Sequence, residues 1–285
     1  MRNKSAKLLL VLTVAVLCFF GLLYFILFDA LVIEPNWIRV DRVMITDAEL
    51  AGALQGLTLI QISDLHLQGT LGFREKSLIG KLNRIQPDFI LITGDLVESP
   101  EAIPLVEDFI RQLQPKYWTY GVLGNSDLHY LGGEGGFSER WKEAGLSLIG
   151  GRSLRLAGAR GEVFWLAGVD PHQGSPGELK NKLENLTAEI SPDQPLVVLA
   201  YDPDLAPTII KAGADLVLSG DTHGGLISFP GWGRIFQKYF GRSRFIRGLY
   251  LIKNGYLYVN RGIAPKIFPV RFLCPPEITV FQFKN

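Results

Sequence analysis

The sequence predicts an α/β fold: parallel strands with helices packed on them, a second, partly antiparallel sheet toward the C-terminus, and a transmembrane helix at the N-terminus. Three observations carry that reading. Apolar strand-like runs alternate with helical patterns from Leu57 to Ser219. The last third holds the strand runs "YLYVNRG" and "PEITVFQF" with no helical pattern of its own between them. The stretch Leu8 to Phe28 carries no charge and, as a helix, is long enough to cross a bilayer core of roughly 30 Å.

Taken in order, Arg2, Lys4 and Lys7 precede the apolar run, and Asp29 and Glu34 follow it. The run exceeds the apolar region of a signal peptide, about 7–15 residues, and no clear small-x-small cleavage site follows, so it reads as an uncleaved single-pass anchor in the inner or plasma membrane. The charge bias leaves the tail in the cytoplasm and the following domain outside. Residues 1–29 are then tail and anchor, 30–55 a linker and edge strand around "EPNWIRVDRVMI", and 56–285 the functional domain. Strands are expected at Leu57 to Ile62, Phe89 to Thr93, Trp118 to Leu123, Val163 to Gly168, Leu196 to Ala200 and Asp215 to Ser219. Helices are expected at Lys76 to Ile85, Ile103 to Leu113, Ser138 to Ala144 and Gly177 to Leu186.

Composition narrows the classes. A formal net charge of +1 argues against a dedicated nucleic-acid binder. Cys18 lies inside the apolar run and Cys274 near the C-terminus, which leaves no basis for a disulfide framework or a thiolate metal site.

The strand ends carry the chemistry. "LTLIQISDLHL" finishes on Asp64 and His66, "DFILITGDLVE" on Asp95, and "WTYGVLGNSDLH" on Asn125, Ser126, Asp127 and His129. "PLVVLAYDPD" finishes on Tyr201 and Asp202, and "DLVLSGDTHGG" on Asp221 and His223. A lone Asp after a strand is most often a turn or helix cap. Five such endings at the carboxyl edge of parallel strands, where α/β sites form, point instead to a divalent transition metal held by carboxylate and imidazole.

With those motifs on view, the chain resembles the calcineurin-like metallophosphoesterases. The resemblance runs from about residue 33 to 285 through Asp64-x-His66, Gly94-Asp95, Gly124-Asn125 and Gly220-x-x-His223-Gly224-Gly225, with "EPNW", "LAGVD" and "NRG" among the matching blocks. It is most similar to the membrane-anchored phosphodiesterase branch that includes UDP-2,3-diacylglucosamine diphosphatases. The resemblance implies a four-layer α/β sandwich of two mixed sheets flanked by helices. It also implies two divalent metals, Mn or Mg first and Fe or Zn as options, that activate a bridging hydroxide to cleave a phosphodiester or pyrophosphate. Asp64, His66, Asp95 and His223 would hold one metal; Asp95, Asn125, Asp221 and Tyr201 would face the other.

Three positions depart from the family pattern, which has histidine where this chain has Ser126, Tyr201 and Asp221. Oxygen ligands suit a harder ion, whereas a phenolate from Tyr201 would favour Fe(III). The alternative for Tyr201 is a residue packed on the rim with its hydroxyl bonded to a neighbour. Asn125 and Ser126 would sit at the scissile phosphate, and Ser126 cannot supply a proton as histidine does, which favours a leaving group that needs none. His129 is a substitute donor or an exposed loop histidine, and His172 stands in the same position. Between Gly231 and Gly248, Arg234, Lys238, Arg242, Arg244 and Arg247 alternate with aromatic residues, as in a wall contacting phosphate substrate or lipid headgroups, or in an ordinary loop. The partners expected are a phosphate-containing, lipid-linked or sugar-nucleotide small molecule and the membrane. Against the charge-derived orientation, diacylglucosamine nucleotides are made on the cytoplasmic face. The rival class is a non-catalytic or mononuclear relative that acts as a membrane-tethered binding module.

Overall fold

The structure is a computed structural model and describes residues 2–132, 136–159, 161, 163–171, 176–227, 243–265 and 269–285. Its first helix, α1 (Arg2–Phe28), continues as a wide π turn over Asp29–Ile33 and a 3-10 turn over Glu34–Asn36. It is long and apolar enough to cross a membrane, and its apolar side chains from Leu8 onward are exposed.

Two six-stranded sheets follow. The first is built from β1 (Arg39–Thr46), β2 (Leu59–Ile62), β3 (Phe89–Thr93), β4 (Trp118–Val122), β5 (Leu146–Leu148) and β12 (Glu277–Lys284), in the order β1-β12-β2-β3-β4-β5. The second holds β6 (Ser153–Ala157), β7 (Val163–Val169), β8 (Leu196–Ala200), β9 (Leu216–Ser219), β10 (Gly248–Ile252) and β11 (Gly255–Val259), in the order β10-β11-β9-β8-β7-β6. Both are mixed: β12 runs antiparallel to β2, β6 to β7 and β10 to β11, while the central strands are parallel.

Period-two alternation assigns the layers. Leu59, Phe89 and Leu91 point inward to meet Val197, Leu199, Leu216 and Leu218 of the other sheet. Their neighbours Ile60, Ile62, Ile90 and Ile92 point outward onto α3 (Phe73–Ile85), α4 (Ile103–Arg111) and α6 (Phe137–Ala144), through Leu78, Leu82, Val106, Phe109 and Trp141. On the far side Leu196, Val198 and Val217 receive Leu183 of α7 (Pro176–Thr187) and Ile209 and Ile210 of α8 (Ala206–Lys211). Helices, sheet, sheet and helices make the four-layer sandwich.

The first expectation to be corrected is how strands are shared between sheets. The parallel strands do not form one sheet: β2, β3 and β4 lie in one and β7, β8 and β9 in the other. Nor do the last strands form a sheet of their own. The "YLYV" strand β11 lies beside β9, whereas the "ITVFQF" strand β12 inserts between β1 and β2. β1 lies at one edge of the first sheet. The sequence pattern missed α2 (Ala48–Leu54), α5 (Asn125–Leu131) and α8, all of seven residues or fewer, and the edge strands β5, β6 and β10.

Candidate metal centre

The parallel strands of both sheets end on one rim, and the two sheets are tied there by Gln61, whose buried amide donates to Thr93 Oγ1 and to the Ser219 carbonyl, 2.9 Å each. Just past these ends the backbone is strained. Asp64, His66, Asp95, Asp221 and His223 all have positive φ, between 43° and 68°, a region that residues with a Cβ seldom enter. Glycines make room for them. A Cβ on Gly124 would lie 2.2 Å from Asp95 Oδ1, and one on Gly220 would lie 1.8 Å from Ser63 Oγ. The Gly-Asp and Gly-Asn pairs of the sequence are therefore steric requirements.

Asp64, His66, Asp95 and His223 converge, all four buried, with one ligand atom from each lying within 4.8 Å of the others. The two Nε2 atoms are 3.3 Å apart, His66 Nε2 is 3.5 Å from Asp95 Oδ2, and His223 Nε2 is 3.5 Å from Asp64 Oδ1. Each ring is fixed from behind. Nδ1 of His223 lies 2.8 Å from the Ala264 carbonyl, a bond in which the ring nitrogen donates, so Nε2 presents its lone pair to the centre. Nδ1 of His66 abuts a carboxylate oxygen of Glu98. Asp64 Oδ2 is buried with no hydrogen-bond partner among the described residues. A buried carboxylate oxygen without a donor is costly. Beside two inward-facing imidazole nitrogens, it makes a donor set that fits a divalent cation.

The electrostatics agree. Burial, then the Asp95 carboxylate, pushes Asp64 up to about 7. Burial pulls His66 down, but its bond to Glu98 and the Asp64 and Asp95 carboxylates outweigh that and raise it. The cluster gathers more negative charge than its own protons comfortably neutralise.

Beside it lies a second group. Tyr201 is buried at 1 % exposure, so the rim position considered for it is wrong. Its ring slides beneath Gly94, where a Cβ would come within 2.6 Å of it. The hydroxyl sits 2.7 Å from both Asp95 Oδ2 and Asp221 Oδ1. A phenol has one proton to give, so both contacts are bonds only when one carboxyl is itself protonated. Burial and the Asp64, Asp95 and Asp221 carboxylates push the phenol far above its ordinary value and hold it neutral. Asp221 also donates its amide to Asp64 Oδ1 at 3.2 Å.

Asn125 is exposed at the first position of α5. Ser126 reaches the cluster through its amide, which donates to Asp95 Oδ1 at 2.9 Å. His129 is exposed one turn beyond Asn125, on the same helical side, its ring edge-on to Tyr130 at 4.7 Å. Arg244 pairs with Asp204, with 3.7 Å between Nε and Oδ1, and Arg247 is exposed nearby. Arg234, Lys238, Arg242 and His172 lie outside the described residues.

Glu98 and Asp127 are two supports that the sequence pattern did not assign a role. Asp127, fully buried, accepts from the amides of Leu96, Val97 and Gly124 at 2.8, 3.0 and 2.8 Å, locking the Asp95 loop to the start of α5. Burial pushes its carboxyl up to about 7 against the pull of those bonds. A carboxylate three residues after Gly-Asp was the available signal for Glu98.

Known proteins bear on this geometry. The family model described as calcineurin-like phosphoesterase matches residues 57–225. An uncharacterized metallophosphoesterase of Bacillus subtilis, YkuE, is 28% identical over 257 residues, 89% of this chain and 88% of that protein. A transmembrane protein with metallophosphoesterase domain from Danio rerio is 28% identical over 261 residues, covering 87% of this chain and 57% of its own length. The UDP-2,3-diacylglucosamine pyrophosphatase LpxG of Chlamydia trachomatis is 27% identical over 309 residues, 88% of this chain and 90% of its own.

Proposed function

The chain belongs to the calcineurin-like phosphoesterase family and is a hydrolase, and we propose that it cleaves a phosphodiester or pyrophosphate bond in a lipid-linked or sugar-nucleotide substrate. The observation that carries the reading is the four-residue cluster around Asp64 Oδ2, which is buried without a hydrogen-bond partner among the described residues.

Asp64, His66, Asp95 and His223 would hold one divalent cation; Asp95, Asp221 and Asn125 would face a second, harder one, with Mn²⁺ or Mg²⁺ suiting the mixed and all-oxygen sets. Bound there, such ions supply water made nucleophilic at neutral pH and positive charge opposite the phosphoryl oxygens. The chain supplies alignment. Glu98 and the Ala264 carbonyl fix the two imidazoles, and the Ser126 amide turns Asp95 so that its Oδ2 faces His66 and Tyr201. Ser126 brings no acid at neutral pH, so a leaving group that departs as phosphate is favoured over an alkoxide. The apolar helix and the pyrophosphatase activity for which the chlamydial relative is named support an amphiphilic pyrophosphate as substrate. The cations before that helix favour a domain on the side of the membrane away from the cytoplasm.

A mononuclear reading has its own observation, the Tyr201 hydroxyl lying between the two carboxylates of the second group. The test uses full-length protein in detergent, stripped of metal and titrated with Mn²⁺. It should hydrolyse an activated aryl phosphodiester and a diacyl sugar nucleotide pyrophosphate. An unactivated alkyl diester should react on the order of 10² times more slowly or worse, because its alkoxide receives no proton. No metal-dependent turnover of any of the three would turn the reading to a membrane-tethered binding module.

A further inference from the structure

The foot of the apolar helix is bonded into the domain. The Ala30 carbonyl accepts from the Arg271 amide at 2.9 Å. Four residues on, the Glu34 carboxylate is buried at 4 % exposure and accepts from the amides of Leu273, at 2.8 Å, and Cys274. A carboxylate is costly to bury, and here its oxygens serve to hold the backbone of residues 273 and 274.

That backbone is the back wall of the metal centre. The fully buried Arg271 guanidinium donates to the carbonyls of Cys274, Arg261, Gly262 and Ala264, at 3.1, 3.0, 3.0 and 2.9 Å. Ala264 joins both proposed ligand loops: its carbonyl holds His223 Nδ1, and its amide donates to the Asp64 carbonyl at 2.9 Å. Cys274 adds a contact from Sγ to the Gly224 carbonyl at 3.3 Å, and the Phe272 amide donates to Leu226 at 2.9 Å. From Glu34 to two metal ligands the path is therefore a continuous set of bonds through residues 271–274 and 264.

We propose that Glu34, at the foot of the membrane helix, is a positioning residue of the metal centre, setting through the 271–274 segment where His223 and Asp64 stand. This rests on the metal-dependent reading above. The helix is then a part of the site's scaffold as well as a tether, and the centre is carried close to the helix foot, where a lipid-linked phosphate would lie.

The test is Glu34→Gln in the full-length protein, which keeps one acceptor oxygen and turns an NH₂ toward the other amide. Mn²⁺ affinity is read by titration, and the visible spectrum of the Co²⁺-loaded protein reports ligand geometry. The control is Asn36→Ala, which removes an exposed bond from Asn36 Nδ2 to the Val32 carbonyl in the same turn without touching 271–274. The expected result is about tenfold or more weaker Mn²⁺ binding and an altered Co²⁺ spectrum for Glu34→Gln, as for loss of a partner behind a metal ligand, with Asn36→Ala like wild type. Affinity within twofold of wild type and an unchanged spectrum for Glu34→Gln would overturn the proposal, as would an equal loss in Asn36→Ala. A wild-type protein that binds no divalent metal would instead sink the reading on which it rests.

Discussion

Replacing Tyr201 with Phe removes one oxygen and leaves the ring that packs beneath Gly94. That oxygen lies 2.7 Å from Asp95 Oδ2 and 2.7 Å from Asp221 Oδ1, the two carboxylates expected to face a second cation. A hydrogen bond to a charged group contributes about 1.5–3 kcal/mol. In the absence of divalent metal the variant should be less stable by about that amount, a fall of roughly 3–5 °C in Tm for a chain of this size. A second cation entering between the two carboxylates must displace this bond in the wild type and has nothing to displace in the variant. The same energy is then a gain of about 10- to 100-fold in affinity for the second ion, at 1.4 kcal/mol per factor of ten. Titration of metal-stripped protein with Mn²⁺, followed by metal content per chain and by Tm, reads both effects. The wild type should take its first ion tightly and a second only at higher concentration, and Tyr201→Phe should bring the second closer to the first. A stability deficit that persists at saturating Mn²⁺, with no change in second-site affinity, would rule out competition between the Tyr201 bond and a second ion.

Two further outcomes follow from the same geometry. Glu98→Gln leaves His66 Nδ1 without its carboxylate and should weaken metal affinity about 10- to 100-fold while the fold is kept, as measured by competition with a coloured chelator. In chelator, stability should fall as pH rises from about 4 to about 7: Asp64 and Asp127 each have a folded pKa near 7 against 3.8 ordinarily, so the folded state binds more protons across that window. Saturating Mn²⁺ should flatten the Asp64 share of that slope, and a Tm that rises with pH in chelator would contradict the assignment.

The proposed ligand residues were legible because each stands just past an apolar run, and Asp95, Asp221 and His223 adjoin glycines that the close packing of these loops turns out to require. Their supports were not. Glu98 meets His66 across 32 positions, and Asp127 meets Leu96 across 31, so the pairing exists only once β3 lies between β2 and β4. The division of strands between sheets was hidden for a related reason. Leu59–Ile62 and Leu216–Ser219 are equally apolar and buried, and their alternation tells which face is which without naming the neighbouring strand. The rim alternative for Tyr201 failed because its burial depends on Gly94, more than a hundred positions away. Glu34 stood out as a charge beside an apolar run, but its partners, Leu273 and Cys274, lie at the other end of the chain.

Asp95→Asn tests whether the strand-end cluster is a working metal centre. Asp95 is its most connected member: Oδ1 accepts from the Ser126 amide, while Oδ2 meets Tyr201 and faces His66. Hydrolysis of an activated phosphodiester by the full-length protein in Mn²⁺ should therefore be compared with that of Asp95→Asn, which preserves shape but removes the charge shared between the two groups. Mn²⁺-dependent turnover is expected in the wild type and its loss, by about 10³-fold or more, in the variant. Equal turnover in the two proteins would contradict it, and so would a wild type that binds Mn²⁺ and hydrolyses nothing.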